Sequence, residues 1–301
     1  MPLPLQPLIE RVVARGGPST LAARWRGGAR LILAYHNVVP DDLPPCGERS
    51  LHLPLSRFRE QLDALARTHE VVGLEALLSD GRDAARPRVA ITFDDAYRGC
   101  VTLALPELAR RQLPATVFVT PGLLGKDGCW WDLLADPHTG ALPGGERDHV
   151  LRTLRGDLAA ALAWRGARTT ALPPMLGIAS EPELDVAARL PGVRFGAHSW
   201  SHRNLAVLDE AALAEELAPP LAWLRARYEG VLPWLAFPYG LHTPDVTARA
   251  RAAGYAGVLR IDGGWVREAD IAAGYLPRLN VPASITTDRF MIKTRGLFPL
   301  R

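Results

Sequence analysis

Four short segments, far apart in the chain, carry the residue types that a catalytic metal site needs. Two of them together supply an aspartate and two histidines, which suit a divalent ion because three protein ligands leave one coordination position open for water. The set also contains a further histidine and a second aspartate for proton transfer. The segments are Leu33-Ala-Tyr-His36, Thr92-Phe-Asp-Asp95, His198-Ser-Trp-Ser-His202 and Phe237-Pro-Tyr-Gly240.

Asp94 and Asp95 directly follow an apolar run, 89–93, that has the length of a strand. Neighbouring side chains inside a strand point to opposite faces, so the two carboxylates can share a site only beyond the strand's end. Adjacent anions repel unless one binds a cation or takes a proton. A metal ligand beside a general base meets that condition. The alternative is an N-cap and turn before the next helix.

His198 and His202 follow the predicted strand 194–197, and their i, i+4 spacing places both rings on one face of a helical turn. His36 ends the predicted strand 31–35. It is either a further residue of the same site or a hydrogen-bonded loop histidine. Its position at a strand end, like that of the other segments, favours the first interpretation.

The fourth segment follows the predicted strand 234–237 and combines a proline with a glycine. Pro238 fixes φ and Gly240 permits a tight turn, so the loop between them can be rigid. Such a loop can aim the backbone N–H of Tyr239 at a developing oxyanion. As an isolated tetrapeptide it is simply a turn.

Eight apolar runs of strand length alternate with helical patterns, which indicates an α/β fold with a parallel sheet. Seven or eight such units favour closure into a (β/α) barrel over an open sheet, and barrel enzymes carry catalysis at the C-terminal ends of the strands. The predicted strands are 31–35, 70–74, 89–93, 116–120, 194–197, 234–237, 256–259 and 276–281, and the main predicted helices are 56–66, 105–111, 210–228 and 245–253.

The domain organisation predicted from these patterns is one α/β domain over 30–301 after an N-terminal helical segment over 1–29. The apolar stripe of that segment is expected to pack on the domain, with peripheral membrane contact as the alternative. Between about 125 and 190 the alternation is interrupted, which predicts a helical insertion containing one helical run over 149–164.

Composition excludes several classes of protein. The chain has 301 residues, is 48% hydrophobic and 22% charged, and carries a net charge of +3, which is too weakly basic to indicate nucleic-acid binding. Its three cysteines have no metal-binding spacing and fit free thiols in a reducing compartment. No signal-peptide pattern and no transmembrane run of about 18 apolar residues is present, so the cytoplasm is the expected location.

Taken together, the four segments resemble the NodB-homology polysaccharide deacetylases, which are metal-dependent carbohydrate esterases related to carbohydrate esterase family 4. The resemblance implies a distorted (β/α) barrel and the removal of N-acetyl groups from amino sugars. It implies that Asp94 is the general base, and that Asp95, His198 and His202 are the metal ligands. It also implies that the segment containing Pro238 and Tyr239 forms one wall of the substrate groove and helps to bind the oxyanion.

Two departures from the common family pattern are informative. Ala236, not an arginine, precedes the fourth segment, and the chain has no late Leu-x-His segment to supply a general acid. The early Tyr-His pair is similar to the permuted branch that includes poly-N-acetylglucosamine deacetylases. That similarity implies that His36 is the general acid and that Arg278 replaces the missing arginine as partner of Asp94. The resemblance covers residues 30–282.

The sequence therefore predicts a hydrolase that deacetylates an N-acetylated sugar or polysaccharide and releases acetate. Nitrogen and oxygen ligands favour zinc, with cobalt, nickel or manganese as substitutes. One alternative is the same fold and metal site cleaving a different amide or an ester. The other is a carbohydrate-binding protein without turnover, which would have no need of a general base and a general acid. The identity of the sugar is left open.

Overall fold

The computed structural model describes residues 28–79, 84–143, 145–166 and 169–296. Apart from its last two residues, the N-terminal segment predicted over 1–29 lies outside these ranges. Within the described ranges, no helix combines the length and the apolar content that a membrane crossing requires.

The described residues form eleven strands. They are β1 (Arg30–Tyr35), β2 (Asn37–Val39), β3 (His52–Pro54), β4 (Glu70–Val71), β5 (Arg88–Phe93), β6 (Ala115–Val119), β7 (Val193–Ala197), β8 (Trp234–Ala236), β9 (Gly257–Leu259), β10 (Tyr275–Leu276) and β11 (Leu279–Asn280).

The α-helices lie mainly between consecutive strands. They are α1 (Leu55–Thr68), α2 (Leu74–Leu78), α3 (Leu105–Arg110), α4 (Trp130–Leu133), α5 (Glu146–Arg152), α6 (Leu158–Arg165), α7 (Glu181–Ala187), α8 (Glu210–Arg227), α9 (Pro244–Ala252), α10 (Glu268–Ala272) and α11 (Thr287–Thr294). The four main helices predicted from the sequence correspond to α1, α3, α8 and α9.

Nine of the strands form one sheet in the order β10-β9-β8-β7-β6-β5-β1-β11, with β4 also beside β5, and all its pairings are parallel. The sheet curves into the distorted (β/α) barrel expected from the resemblance. β2 and β3 form a separate two-stranded parallel sheet. Because the strands are parallel, their C-terminal ends lie at one rim.

The distortion is visible around β5. On one side β1 pairs with the whole of β5, from Arg88 to Phe93. On the other side β4 pairs only with Arg88 and Val89, and β6 pairs only from Ile91 to Phe93. Two short strands thus share one edge of β5, so β6 reaches the rim without extending to the bottom of the barrel.

The last predicted strand, 276–281, is not continuous. Pro277 and Arg278 separate β10 from β11, and the two pieces pair with opposite ends of the sheet, β10 with β9 and β11 with β1. Proline has no N–H for a ladder and ends regular pairing. The prediction of one strand was therefore wrong, and the segment instead spans the two edges of the sheet.

Alternate residues along the strands face two separate apolar regions. Ile32, Ala90 and Phe118 belong to the cluster inside the barrel, whereas Leu31 and Leu33 pack with the surrounding helices. This alternation follows from the two-residue period of a strand. Because both faces are buried, the strands read in sequence as continuous apolar runs.

The chain between β6 and β7 contains the helices α4 to α7. The single helical run predicted over 149–164 was wrong, because α5 ends at Arg152 and α6 begins at Leu158. Arg155 and Gly156 adopt left-handed backbone angles, with φ of 58° and 73°, which end a right-handed helix. Asp157 then caps α6 by accepting the N–H of Ala160.

His69 joins the C-terminal helix α11 to the rest of the domain. Its Nε2 atom donates to the carbonyl oxygen of Thr294 at 2.9 Å, and Thr68 Oγ1 lies 2.8 Å from its Nδ1 atom. Burial lowers the pKa of His69 to about 4, although the bond to Thr294 opposes the shift. The imidazole is therefore neutral in the folded protein.

We predict that His69 contributes to acid destabilisation. Its pKa is lower in the folded state than the unfolded value of 6.5. Its contribution to stability is therefore present above pH 6.5 and is lost as the pH falls towards the folded value. At about pH 5 the loss is about 2 kcal/mol, from about 1.36 kcal/mol per pKa unit.

His69→Gln keeps a donor for the Thr294 carbonyl but cannot be protonated, so its unfolding free energy should fall less between about pH 7.5 and 5 than that of the parent. Urea denaturation at both pH values measures the difference. His138→Gln, at an exposed position, is the control and should retain the parental pH dependence. A parental pH dependence in His69→Gln would contradict the prediction.

Candidate active site

The four sequence segments meet at the C-terminal rim of the barrel, because each follows a strand of the same parallel sheet. They border a cleft of about 400 Å³, which lies in the size range of ligand pockets. The residues predicted for the site that line this cleft are His36, Asp94, Asp95, His198, His202 and Tyr239.

Asp95, His198 and His202 present their ligand atoms to one point. Asp95 Oδ1 lies 3.0 Å from His202 Nε2 and 3.5 Å from His198 Nε2. The two Nε2 atoms are 3.1 Å apart. All three side chains are buried. The structure thus brings together the three ligands that the sequence predicted.

This donor set fits a divalent metal ion. Bonds of about 2.0–2.1 Å to a tetrahedral zinc ion separate neighbouring ligand atoms by about 3.3 Å, close to the distances between these three atoms. Asp95 Oδ1 is buried and has no hydrogen-bond partner of suitable geometry among the described residues. A buried carboxylate oxygen without a partner is costly, and a cation between the three groups would satisfy it.

The ring of His198 is fixed by a backbone hydrogen bond. Its Nδ1 atom donates to the carbonyl oxygen of Ala236 at 2.8 Å, which leaves the Nε2 lone pair free to bind a metal ion. Burial lowers the pKa of His198 to about 4, with the carboxylates opposing that shift and His202 adding to it. The ring is therefore neutral, as a ligand must be.

The loop between the two histidines is held from α8. The carboxylate of Glu216, itself buried, accepts the backbone N–H groups of Trp200 and Ser201 at 3.0 and 2.9 Å. Ser199 Oγ accepts the N–H of His202 at 3.0 Å. These bonds satisfy the backbone N–H groups of a buried turn and fix the backbone position of His202.

Left-handed backbone angles concentrate at this rim. Seven residues other than glycine have positive φ in the described chain, and five of them belong to the motif segments or follow directly. Such angles are strained for residues with a Cβ and persist where the surrounding structure imposes them. The five are Asp95, Ala96, Ser199, His202 and Tyr239.

Asp94 forms a bidentate ion pair with Arg278. Arg278 Nη1 and Nη2 donate to its Oδ1 and Oδ2 at 2.7 and 2.8 Å, and Nη1 also contacts Thr92 Oγ1 at 3.2 Å. Arg278 is fully buried, and its Nε atom donates to the carbonyl oxygen of Arg260. The predicted contact between Arg278 and Asp94 is therefore present, while its catalytic role stays a prediction.

The two neighbouring carboxylates are both ionised, for different reasons. Burial would raise the pKa of Asp94, but the Arg278 guanidinium and nearby histidines hold it well below its usual range. Burial also opposes ionisation of Asp95, and His202 and His198 lower its pKa. The guanidinium of Arg278 compensates the negative charge of Asp94, so the carboxylate of Asp95 remains available to bind a cation.

His36 directly follows β1 and lies half-buried in the cleft. Burial lowers its pKa, and the carboxylates of Asp95 and Asp94 partly oppose that shift. The structure thus places His36 with the other predicted residues, although its role as the general acid stays a prediction.

The fourth segment forms a tight turn at the end of β8. Tyr239 has φ of 57° and lines the cleft, whereas Pro238 is buried beneath the turn. The phenol of Tyr239 donates to the carbonyl oxygen of His202 at 3.0 Å and accepts the indole N–H of Trp130 at 2.7 Å. The side chain of Tyr239 therefore supports the second histidine, a contact that the sequence did not reveal.

Sequence reasoning missed several residues of the cleft. Trp131 and Arg147 reach it from the chain between β6 and β7, and Glu48 reaches it from the loop before β3. The one sequence signal among them is the adjacent pair Trp130-Trp131 at the start of a helix, and nothing in the sequence indicated Arg147 or Glu48. Large aromatic side chains that begin an insertion indicate that it is anchored on the domain.

Comparison with known proteins places this site in a family. The family model described as polysaccharide deacetylase matches residues 81–258, which is more than half of the chain. The protein belongs to the polysaccharide deacetylase family, whose members are hydrolases of N-acetyl amide bonds. The matched range includes Asp95, His198 and His202, the three residues predicted to bind a metal ion, while His36 and Arg278 lie outside it. No curated protein sequence matches the chain.

Three solved structures with a similar fold are those of IcaB, a deacetylase and a de-N-acetylase. IcaB from Ammonifex degensii has a TM-score of 0.63 and 18% identity, over 89% of this chain and 97% of that one. The Streptococcus pyogenes deacetylase PplD, in complex with acetate, has a TM-score of 0.61 and 15% identity, over 88% of this chain and 97% of that one. A de-N-acetylase from Aggregatibacter actinomycetemcomitans has a TM-score of 0.61 and 14% identity, over 89% of this chain and 99% of that one. These similarities concern the fold.

We predict that metal binding requires both histidines. His198→Ala and His202→Ala should each reduce bound zinc, and the double variant should abolish it, because one carboxylate alone binds zinc weakly at neutral pH. Elemental analysis after dialysis against zinc measures the loss. His138→Ala, an exposed histidine away from the cleft, is the matched control and should leave zinc content unchanged. Stoichiometric zinc in the double variant would refute the assignment.

Proposed function

We propose that this protein is a zinc-dependent deacetylase that removes N-acetyl groups from an amino sugar within a saccharide. The observation that carries the proposal is the convergence of Asp95, His198 and His202 on one point beside a cleft that also contains Asp94 and His36. When bound there, a divalent ion supplies a Lewis acid that polarises the acyl carbonyl and acidifies water. Nitrogen and oxygen ligands favour zinc, and cobalt, nickel or manganese can substitute.

In this proposal Asp94 is the general base. Its bidentate contact with Arg278 keeps it ionised and fixes its orientation, so it is ready to accept a proton from the attacking water. The same contact stabilises the anion and makes Asp94 a weaker base. The attacking water must therefore be acidified for Asp94 to take its proton.

His36 is the proposed general acid. An amine leaves an amide only when it is protonated, and His36 borders the same cleft as Asp94. Because burial lowers the pKa of His36, a neutral imidazole must first gain a proton. The proton that Asp94 takes from water is the nearest source. The N–H of Tyr239, in its tight turn, is proposed to stabilise the oxyanion.

The substrate proposed for this cleft is an N-acetylated saccharide, and the poly-N-acetylglucosamine type of the permuted branch is one candidate. Arg147 and Glu48 at the cleft offer opposite charges to substituents of the sugar. The three cysteines, Cys46, Cys100 and Cys129, are free thiols, which supports action in a reducing compartment such as the cytoplasm. Such a location favours a nucleotide-linked or lipid-linked saccharide as substrate.

Metal-dependent acetate release from N-acetylated saccharides tests the proposal. Asp94→Asn preserves the shape of the side chain but cannot accept a proton, so the folded variant should retain zinc while its rate falls by about 10²–10⁴-fold. Its stability should also fall, because the buried charge of Arg278 is then unpaired. Acetate release by zinc-loaded parent and variant, with zinc content measured in parallel, is the experiment. Unchanged turnover in Asp94→Asn would assign the base to another group. Faster acyl release from simple esters than from every saccharide would favour a different hydrolase.

We predict that His36→Ala retains zinc and loses most amide hydrolysis, by about 10²-fold or more, as expected for the loss of a general acid. The rate of aryl acetate hydrolysis should fall much less, because the leaving group of that ester departs without a proton. The measurement is the ratio of amide to ester rates in the variant and the parent. A histidine that only supports the loop would depress both reactions equally, so an unchanged ratio with intact zinc would remove His36 from the mechanism.

A further inference from the structure

The two histidines of the metal site are held in different ways. His198 uses its second ring nitrogen to donate to the carbonyl oxygen of Ala236. The Nδ1 atom of His202 is buried and has no hydrogen-bond partner among the described residues. Metal-binding histidines usually use this second nitrogen to fix the orientation of the ring. The orientation of His202 must therefore come from its packing.

Aromatic rings enclose His202. The ring of Trp131 lies 4.8 Å away at 56°, and that of Tyr239 lies 4.5 Å away at 87°. Trp131 is 4% exposed. A rotation of His202 out of its present rotamer would require one of these rings to move, because a closely packed interior has no space for it.

Trp131 is itself fixed by a buried chain of hydrogen bonds. Its indole N–H donates to the phenol oxygen of Tyr97 at 2.8 Å, and the Tyr97 hydroxyl donates to Asp132 Oδ2 at 2.6 Å. His52 Nε2 lies 2.9 Å from Asp132 Oδ1, and Asn37 Nδ2 lies 3.1 Å from His52 Nδ1. We refer to Trp131, Tyr97, Asp132, His52 and Asn37 as the Trp131 network.

The direction of donation along the Trp131 network is determined by its end groups. The Tyr97 hydroxyl is the donor to Asp132 Oδ2, because a carboxylate oxygen can only accept. The Asn37 amide can only donate through Nδ2, which makes His52 Nδ1 the acceptor and His52 Nε2 the donor to Asp132. Every bond thus has one donor and one acceptor, which makes the arrangement of the network unique.

The backbone is also adapted to this network. The N–H of Glu48 donates to Asp132 Oδ1 at 2.8 Å. The preceding residue, Gly47, has φ of +61°, and a Cβ atom there would lie only 2.7 Å from the same oxygen. Only glycine tolerates both the angle and the close approach. The loop before β3 is therefore shaped around the Asp132 carboxylate, which is fully buried.

We propose that the Trp131 network is a positioning device for the metal centre: Tyr97 and Asp132 hold Trp131, and Trp131 holds His202 in its metal-binding rotamer. These are positioning residues, because they act through His202. Burying a carboxylate has a large desolvation cost, and apolar residues of the same volume would fill the space without that cost. A network with one arrangement instead gives Trp131 a single orientation. This inference rests on the metal-dependent function proposed above.

The test uses Tyr97→Phe, which keeps the ring but removes the hydroxyl between Trp131 and Asp132. Tyr35→Phe is the matched control, because Tyr35 is equally buried and its hydroxyl donates to Gln61 Oε1 at 2.9 Å, outside the network. Zinc affinity is measured by competition with a chromophoric chelator. The absorption spectrum of the cobalt-loaded protein reports the ligand geometry, and the melting temperature of the metal-free protein reports the fold.

We expect Tyr97→Phe to weaken zinc binding by about 10–100-fold, the usual effect of losing a partner that orients a ligand, and to change the cobalt spectrum. Tyr35→Phe should stay within about twofold of the parent, even with a similar loss of melting temperature. Trp131→Phe, which removes the indole N–H and part of the contact with His202, should weaken binding at least as much. It also serves as the test if Tyr97→Phe does not fold.

Parental zinc affinity and an unchanged cobalt spectrum in folded Tyr97→Phe and Trp131→Phe would overturn the inference while leaving the metal site intact. An equal loss of affinity in Tyr35→Phe would also overturn it, because the effect would then come from general destabilisation. A parent protein that binds no zinc would overturn the proposed metal-dependent function and this inference with it.

Discussion

The buried ion pair between Asp94 and Arg278 is the interaction on which the rest of the site depends. Removing one partner of such a pair costs about 3–5 kcal/mol, because the other charge is left buried and unpaired. Arg278 comes from the short link between β10 and β11, which joins the two edges of the sheet, while Asp94 follows the central strand β5. The segment that links the two edges of the sheet therefore also fixes the position of Asp94. Asp94 thus pairs with Arg278, while Oδ1 of its neighbour Asp95 lies beside the two histidines.

The metal-binding groups combine two kinds of support. His198 is held by a backbone carbonyl, whereas His202 lies among aromatic rings whose polar atoms are bonded elsewhere. Left-handed angles at Asp95, His202 and Tyr239 show that the backbone is strained where these groups leave the rim. Strain of this kind persists only because contacts impose it, and Trp130 and Trp131, which begin the helices between β6 and β7, contact Tyr239 and His202. The part of the chain that departs from the β/α alternation thus contacts the rim directly at two of these strained residues.

Much of the fold and the Asp95-His198-His202 cluster could be predicted, because apolar runs and helical periods are local and the motif residues directly follow strands. Pro277 was a local signal for the break in the last predicted strand. No local signal indicated that the two pieces would pair with opposite edges of the sheet. The end of α5 was hidden because Arg155, not a glycine, takes the first left-handed angle. The roles of His52 and Asp132 depend on a contact across 80 residues, which no local pattern encodes. The position of His36 at a strand end already indicated the site, and the resemblance to known segments added its predicted role as the general acid. The resemblance also supplied Arg278, which spacing alone would have left as a strand-end arginine.

The late position of Arg278 has a consequence for synthesis of the protein. Asp94 precedes its partner by 184 residues. At about 5–20 residues per second, a ribosome needs about 10–40 s to make the intervening chain. During that time β1 lacks its neighbour β11, and the carboxylate after β5 has no cation with which to be buried. The nascent chain must keep the central strands exposed or loosely packed until the final segment joins both edges of the sheet. The native packing of β1 and the burial of Asp94 can thus be completed only after the last part of the sheet has been synthesised.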